Sequence, residues 1–380
     1  MNLVFLYSSR GRIPIDKPDK LNGKTMPEVD YVNNKPTTSF LNGTLSDLYP
    51  YIWEKLINNK IFDKITTLFE VRDGWGSVEV SPNNKVVFIP HISEVHKFVE
   101  PGDIIFVRGA WKWWQDHIRK LSKNHNLVYY RGGRVVFKNW WWHIIIDDIY
   151  LKNAVDRYKR TNIYYPKCIN EEIFYYKPKA EKKYDLILVG EIKESKGQYK
   201  VILALNEYRK LYGKNLKVCV VGKAKDVVRF RHFRKRFKIA VDYRGKVSRE
   251  ELNNLYNASK LYIHLGTNEQ GPRTTLEAIR CGLPCLISSM THMWPEWVVN
   301  SNFCKNVSSR DFEQIAKTIH EMLNTDYNGL QISRVYNKYS CSKLTVRMWR
   351  KIKKAVEDNP RRKPHKSTFT NAFKVTDRRS

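Results

Sequence analysis

The stretch GTNEQGPRTTLEAIRCGLPCLIS, residues 266–288, decides how this chain reads. The segment just before it, KLYIHLG, alternates polar and apolar residues and stops at Gly266, as a strand running into a turn does. TTLEAIRCG is made of helix formers and is closed by Gly282, with Pro284 beyond, the usual stop for a helix. Between them a Gly-Pro turn at Gly271 and Pro272 delivers the chain into a helix N-terminus. Free N–H groups and the positive end of the helix dipole favour an anion there. Two acids, Glu269 and Glu277, flank this turn eight residues apart. A carboxylate does not hold phosphate, but it accepts hydrogen bonds from hydroxyls. The pattern therefore suits a ligand with both phosphates and hydroxyls.

The same rhythm extends outward. YDLILVGEI, a helix near 197–212, LKVCVVG, a basic helix around 226–238, VDYRGKV and the helix SREELNNLYNAS precede the opening stretch. Ser248 with Glu251 three residues later is a capping box that sets the start of the last of these helices. Farther upstream, DIIFVRG and NLVYYRGG bracket WKWWQDHIRKLSKN, in which Trp111, Trp114, Ile118 and Leu121 recur at helical spacing. Strand, helix, strand with short turns predicts a parallel sheet. Before about residue 85, frequent Pro, Gly and Asn interrupt every pattern. The expected organisation is two consecutive α/β domains, over 1–165 and 181–335. A charged, proline-containing connection over 166–180 joins them, a helix over 336–357 follows, and a disordered basic tail closes the chain at 358–380.

Composition sets the partners. The 380 residues, 42% hydrophobic, suffice for two cores of ordinary size. Lys plus Arg is 68 against 38 Asp plus Glu, a net charge of +30. A field of that sign attracts polyanions, anionic lipid surfaces and phosphorylated substrates. The segment VVRFRHFRKRFK places Phe230, Phe233 and Phe237 on one helical face, with Arg229, Arg231, Arg234, Arg236 and Lys238 around the rest. The clusters WKWW and NWWWH in the first half combine core packing with Trp113, which falls off the buried stripe. None of the six cysteines has C-x-x-C spacing, so they read as buried, reduced thiols in a cytosolic-type compartment. The N-terminus reads as a first strand rather than a signal peptide, and no run nears the roughly 20 apolar residues of a membrane span. A cytoplasmic protein, or one peripheral to a membrane, is expected.

In register with its neighbours, E-x7-E followed by LEAIRCGLPCLIS resembles the donor-site signature of retaining glycosyltransferases of the GT-B fold, family 4, the glycosyl transferases group 1. YYPKCINEEIF resembles that family's domain linker. GEIKESKG matches its Gly-Arg-x-x-x-x-Lys-Gly spacing, YRGKVSREELNNLYNAS its segment ahead of the donor loop, and WPEW its later Pro-Glu. The resemblance runs from about residue 164 to 325. It implies two Rossmann-like domains facing across a cleft, with a C-terminal helix crossing back to the first. The donor, a nucleotide diphosphate sugar acting as co-substrate, would bind the second domain without other cofactors.

By the same resemblance, Glu277 would hold the donor ribose and Glu269 would face the transferred sugar. Gly271, Pro272, Arg273 and Thr274 would lie near sugar and diphosphate, with Gly190 and Gly222 lining the donor site. Lys196 would neutralise the departing diphosphate, where fixed positive charge lowers the barrier. Two positions depart from the family pattern. Glu191 stands where an Arg is usual, so Lys193, Arg273 or the loop of Arg10, Gly11 and Arg12 would have to offset its charge. Arg131 stands where the family often has a catalytic His. No Asp-x-Asp occurs, and the ten histidines show no metal-ligand spacing, so the expected chemistry is metal-independent. The expected acceptor is a glycan or lipid-linked glycan, with hydroxylated bases in DNA as the alternative. A relative that binds polyanions or glycans without turnover is the third reading.

Overall fold

The structure, a computed structural model, describes residues 1–7, 31–32, 35–36, 48–70, 76–108, 114–131, 144–148, 164–165, 169–224, 227–267, 273–289 and 296–358. The chain divides into two compact units. The first takes Met1–Asp148, Arg157–Tyr165 and Thr345–Ser380, and the second takes Ile149–Asp156 and Pro166–Leu344.

In the first unit, strands β1 (Leu3–Tyr7), β4 (Ile65–Glu70), β6 (Asn84–Ile89), β7 (Ile104–Arg108), β8 (Asn126–Arg131), β9 (Ile144–Asp148) and β10 (Tyr164–Tyr165) are parallel. The order is β10-β9-β8-β7-β1-β4-β6-β5, with β5 (Gly76–Ser81) antiparallel at one edge. A two-residue ladder joins β2 (Tyr31–Val32) to β3 (Lys35–Pro36). Because side chains alternate along a strand, Val4, Leu6, Ile105 and Val107 pack on one face with Trp114 and Ile118 of helix α2 (Gln115–Leu121). Phe5 and Phe106 face the other way, onto Trp53 of helix α1 (Leu48–Asn58) and Trp349 of helix α10 (Cys341–Asp358). Trp349 lies 5.1 Å from Phe106 and 5.4 Å from Phe62, ring centre to ring centre.

The second unit is a fully parallel sheet of order β13-β12-β11-β14-β15-β16. The strands are β11 (Tyr184–Val189), β12 (Val218–Val221), β13 (Asp242–Gly245), β14 (Ser259–His264), β15 (Cys285–Ser288) and β16 (Cys304–Val307). Its helices are α3 (Gln198–Tyr212), α4 (Val227–Arg236), α5 (Arg249–Asn257), α6 (Arg273–Arg280), α7 (Glu296–Val299), α8 (Phe312–Leu323) and α9 (Gly329–Lys338). Inner strands covered on both faces are buried at every position, as β12 (VCVV) and β15 (CLIS) are. Ser248 accepts from the Glu251 amide at 3.0 Å, the first half of the expected capping box, and Gly282 takes φ +80° where α6 ends. Cys219, Cys281, Cys285 and Cys304 are buried and unbridged, and burial pushes the Cys219 thiol up to about 12.

One expectation needs correction. The sequence predicts one helix over 336–357, but the chain breaks into α9 and α10. Glu171 captures the hydroxyls of Ser340 and Ser342, each at 2.8 Å, and that geometry stops the first helix and starts the next. Within the expected connection over 166–180, the described residues from 169 onward pack against the second unit. Ile169 and Phe174 are buried in the second unit's core, and Asn253 and Asn257 hold the backbone amides of Tyr175 and Lys177.

Candidate functional site

Taken in chain order, the second sheet has the 3-2-1-4-5-6 arrangement of a dinucleotide-type fold, reversing direction between β11 and β14. Ligands of such sheets bind outside the carboxyl ends of the strands at that reversal. Gly190, just past β11, and Gly222, just past β12, both take φ +143°, a backbone that only glycine adopts readily. A Cβ on Gly222 would lie 1.9 Å from the Gly190 carbonyl oxygen. The Gly190 amide donates to Val221, the Gly222 amide to Gly245, and the Tyr243 hydroxyl donates to the Gly222 carbonyl while accepting from the Ala224 amide. Three loops are thereby fastened side by side.

The loop after β11 continues to Lys196 and Gly197. A Cβ on Gly197 would meet the Leu265 carbonyl carbon at 2.3 Å, so the loops after β11 and β14 touch backbone to backbone. The Thr267 amide donates to the Ser195 carbonyl at 2.9 Å, closing the same seam. Lys196 therefore stands at the reversal of the sheet, beside the segment Leu265 to Thr267. His264 ends β14 in the same place. Burial, with Lys196 nearby, pulls its imidazole down to about 3, so the ring is neutral at physiological pH. Its Nε2 atom and the Oε1 atom of Gln198 are buried without a hydrogen-bond partner among the described residues. Gln198 spends its amide nitrogen on the carbonyls of Gly190 and Glu191.

Glu191 forms an ion pair with Lys193 at 2.9 Å, so the acid at the usual Arg position has a cation of its own. Both side chains are nearly half exposed, and such a pair contributes little to stability.

Glu277 lies one turn into α6, 2% exposed. Its Oε1 accepts from Arg249 at 3.1 Å and its Oε2 from Tyr256 at 3.0 Å. Thr274 accepts at its carbonyl from Tyr256 and shares a 2.7 Å bond with the Tyr262 hydroxyl. Arg273 opens α6 and is partly exposed. Thus Gly190, Gly222, Lys193 and Lys196 gather at the carboxyl ends of β11 and β12, while Thr274 and Glu277 belong to a network joining α6 to α5. Arg131 ends β8 in the first unit. Glu269, Gly271, Pro272, Arg10, Gly11 and Arg12 lie outside the described residues, as do Trp111, Trp113 and the NWWWH cluster.

Sequence reasoning missed Arg249, Tyr256, Gln198 and His264. Tyr256 and Arg249 stand seven apart in a helix whose start was legible, which puts them on one face. Which face that was depended on the neighbour.

Comparison with known proteins gives the setting. Residues 170–339 match the family model described as Glycosyl transferases group 1. A search of curated proteins finds no match. Among solved structures, Anabaena HepE with UDP and glucose aligns at TM-score 0.62 and 14% identity, over 94% of this chain and 100% of that one. A glycosyltransferase from Rickettsia africae aligns at TM-score 0.61 and 13% identity, over 94% of this chain and 99% of that one. Sucrose-phosphate synthase from Thermosynechococcus elongatus aligns at TM-score 0.60 and 14% identity, over 94% and 98%. Parallel α/β sheets in both units and likeness to these structures show the GT-B fold, and within it residues 170–339 match the model of glycosyl transferases group 1.

Proposed function

We propose that the protein is a glycosyltransferase taking a sugar from a nucleotide diphosphate sugar, with retention of configuration and without a metal. The bond between the anomeric carbon and the diphosphate oxygen breaks, and a bond to an acceptor hydroxyl oxygen forms. The hydroxyl proton leaves to the diphosphate or to solvent. The observation that carries this reading is Lys196, fixed beside Gly197 where the sheet reverses within a domain matching glycosyl transferases group 1. A cation there offsets the charge that builds on the leaving diphosphate. Glu277 takes the ribose and Glu269 the transferred sugar. HepE, of the same fold, was solved holding UDP and glucose, which supports a donor of that class.

The acceptor reading favours a glycan or lipid-linked glycan at an anionic surface. Helix α4 supports it: Phe230 is buried, while Arg231, His232, Lys235 and Arg236 are exposed on a helix with no acid in it. Such a face attracts phosphate-bearing surfaces. No described helix is long and apolar enough to cross a membrane. Pelleting with anionic liposomes, set against a salt-dependent gel shift on duplex DNA, separates this acceptor from hydroxylated bases in DNA.

Calorimetry with UDP, GDP and ADP tests the donor reading. One of the three binds, and Lys196→Ala weakens it about tenfold or more, the loss of a charge-assisted contact. No heat with any of them overturns the reading. Nucleotide binding without diphosphate release from any sugar donor leaves a binder that does not turn over.

A further inference from the structure

We propose that Arg249 and Tyr256 are positioning residues that orient Glu277 so that the nucleotide site tells ribose from deoxyribose. The inference rests on the ribose role of Glu277 given above. Helix α5 begins at Arg249, behind the Ser248 cap, and Tyr256 follows two turns later on the same face. Each sends one donor to a different oxygen of the same carboxylate, at 3.1 and 3.0 Å. With both oxygens anchored from separate points along α5, the carboxylate does not rotate about its last torsion, which is otherwise broad.

The Tyr256 hydroxyl also lies 3.1 Å from the Thr274 carbonyl, so it registers the carboxylate against the first turn of α6. Burial holds the Tyr256 phenol far above its ordinary range, and it remains a donor at every physiological pH. Arg249 lies over the Phe174 ring and keeps 31% of its side chain exposed, against 3% for Glu277. The pair is therefore buried on the acid side and open on the guanidinium side, unlike an ion pair sealed in a core. A site built around a hydroxyl rejects the analogue that lacks it.

Calorimetry on the full chain, with UDP, GDP, ADP and their 2′-deoxy forms, reads this out. The wild type prefers the ribo form of whichever base it binds, and Glu277→Gln abolishes the preference. Arg249→Ala and Tyr256→Phe each cut the preference roughly threefold to tenfold, the range for one lost hydrogen bond, by weakening the ribo form alone. Arg249→Lys restores part of it. Equal weakening of both forms with a lower melting temperature means the network only joins two helices, and overturns the inference, as does a wild type with no ribose preference. A preference that needs Glu277 but survives both Arg249→Ala and Tyr256→Phe overturns this inference alone. A wild type that binds no nucleoside diphosphate overturns the donor reading with it.

Discussion

The two ends of the second sheet are built on opposite terms. At the amino ends, charged groups pair across several strands, although Arg280 Nε is buried without a partner among the described residues and Gly282 too holds a positive φ. Lys182 donates to the Asn257 and Ser259 carbonyls at 2.8 and 2.9 Å, and Asp185 accepts from Lys260 and from the Lys217 amide, each at 2.9 Å. At the carboxyl ends, Gly190, Gly197 and Gly222 hold positive φ, backbones meet where no Cβ fits, and two buried polar atoms lack a partner among the described residues. Buried polar groups are nearly always satisfied in folded proteins, so such departures concentrate where function overrides stability. The carboxyl ends thus combine close backbone packing with the neutral His264 and the spare oxygen of Gln198.

That contrast can be broken most directly at Gly222. Gly222→Ala forces a Cβ against the Gly190 oxygen at 1.9 Å and a strained φ of +143°. A stability loss of about 3 kcal/mol or more is expected in urea unfolding, because steric and backbone strain add. A loss below about 1 kcal/mol would show that the carboxyl-end loops are loosely held.

A smaller effect should appear with pH, through His264. Its folded value of about 3 lies below the ordinary 6.5, so between those values the unfolded chain takes a proton that the folded chain refuses. This contribution is complete above the ordinary value and is lost as pH falls toward the folded one, at no more than about 1.4 kcal/mol per pH unit. Comparing unfolding midpoints at neutral and mildly acidic pH, His264→Leu should flatten the acid side. An unchanged slope would mean that the imidazole is not held neutral.

The least change belongs to the amino end. Lys260→Ala removes an ion pair whose lysine is half exposed, and should shift stability by less than about 1 kcal/mol while leaving nucleotide affinity untouched. If that variant weakens nucleotide binding, the two ends are not functionally distinct.

Much of this was legible in the residues. Strand ends at Gly222 and Gly266, the Ser248 cap and the Gly282 stop are local chemistry, and local chemistry shows in sequence. Apart from the first strand, the region before residue 85 was not legible. Its strand β4, ITTLFE, mixes threonine and glutamate with apolar residues, and six such residues carry no periodicity that separates strand from helix. The break between α9 and α10 was hidden for a related reason: it depends on Glu171, about 170 residues away in the chain.

By itself the sequence determined the α/β character, the positive charge and the order of the second unit's elements, since each follows from spacing and composition. Tertiary structure alone decided that Glu191 is matched by Lys193, that Gly197 seals two loops at the sheet's reversal, and that Glu277 is gripped by Arg249 and Tyr256. Those facts depend on which faces of separate helices and strands meet. Nothing in the periodicity of one element records what packs against it.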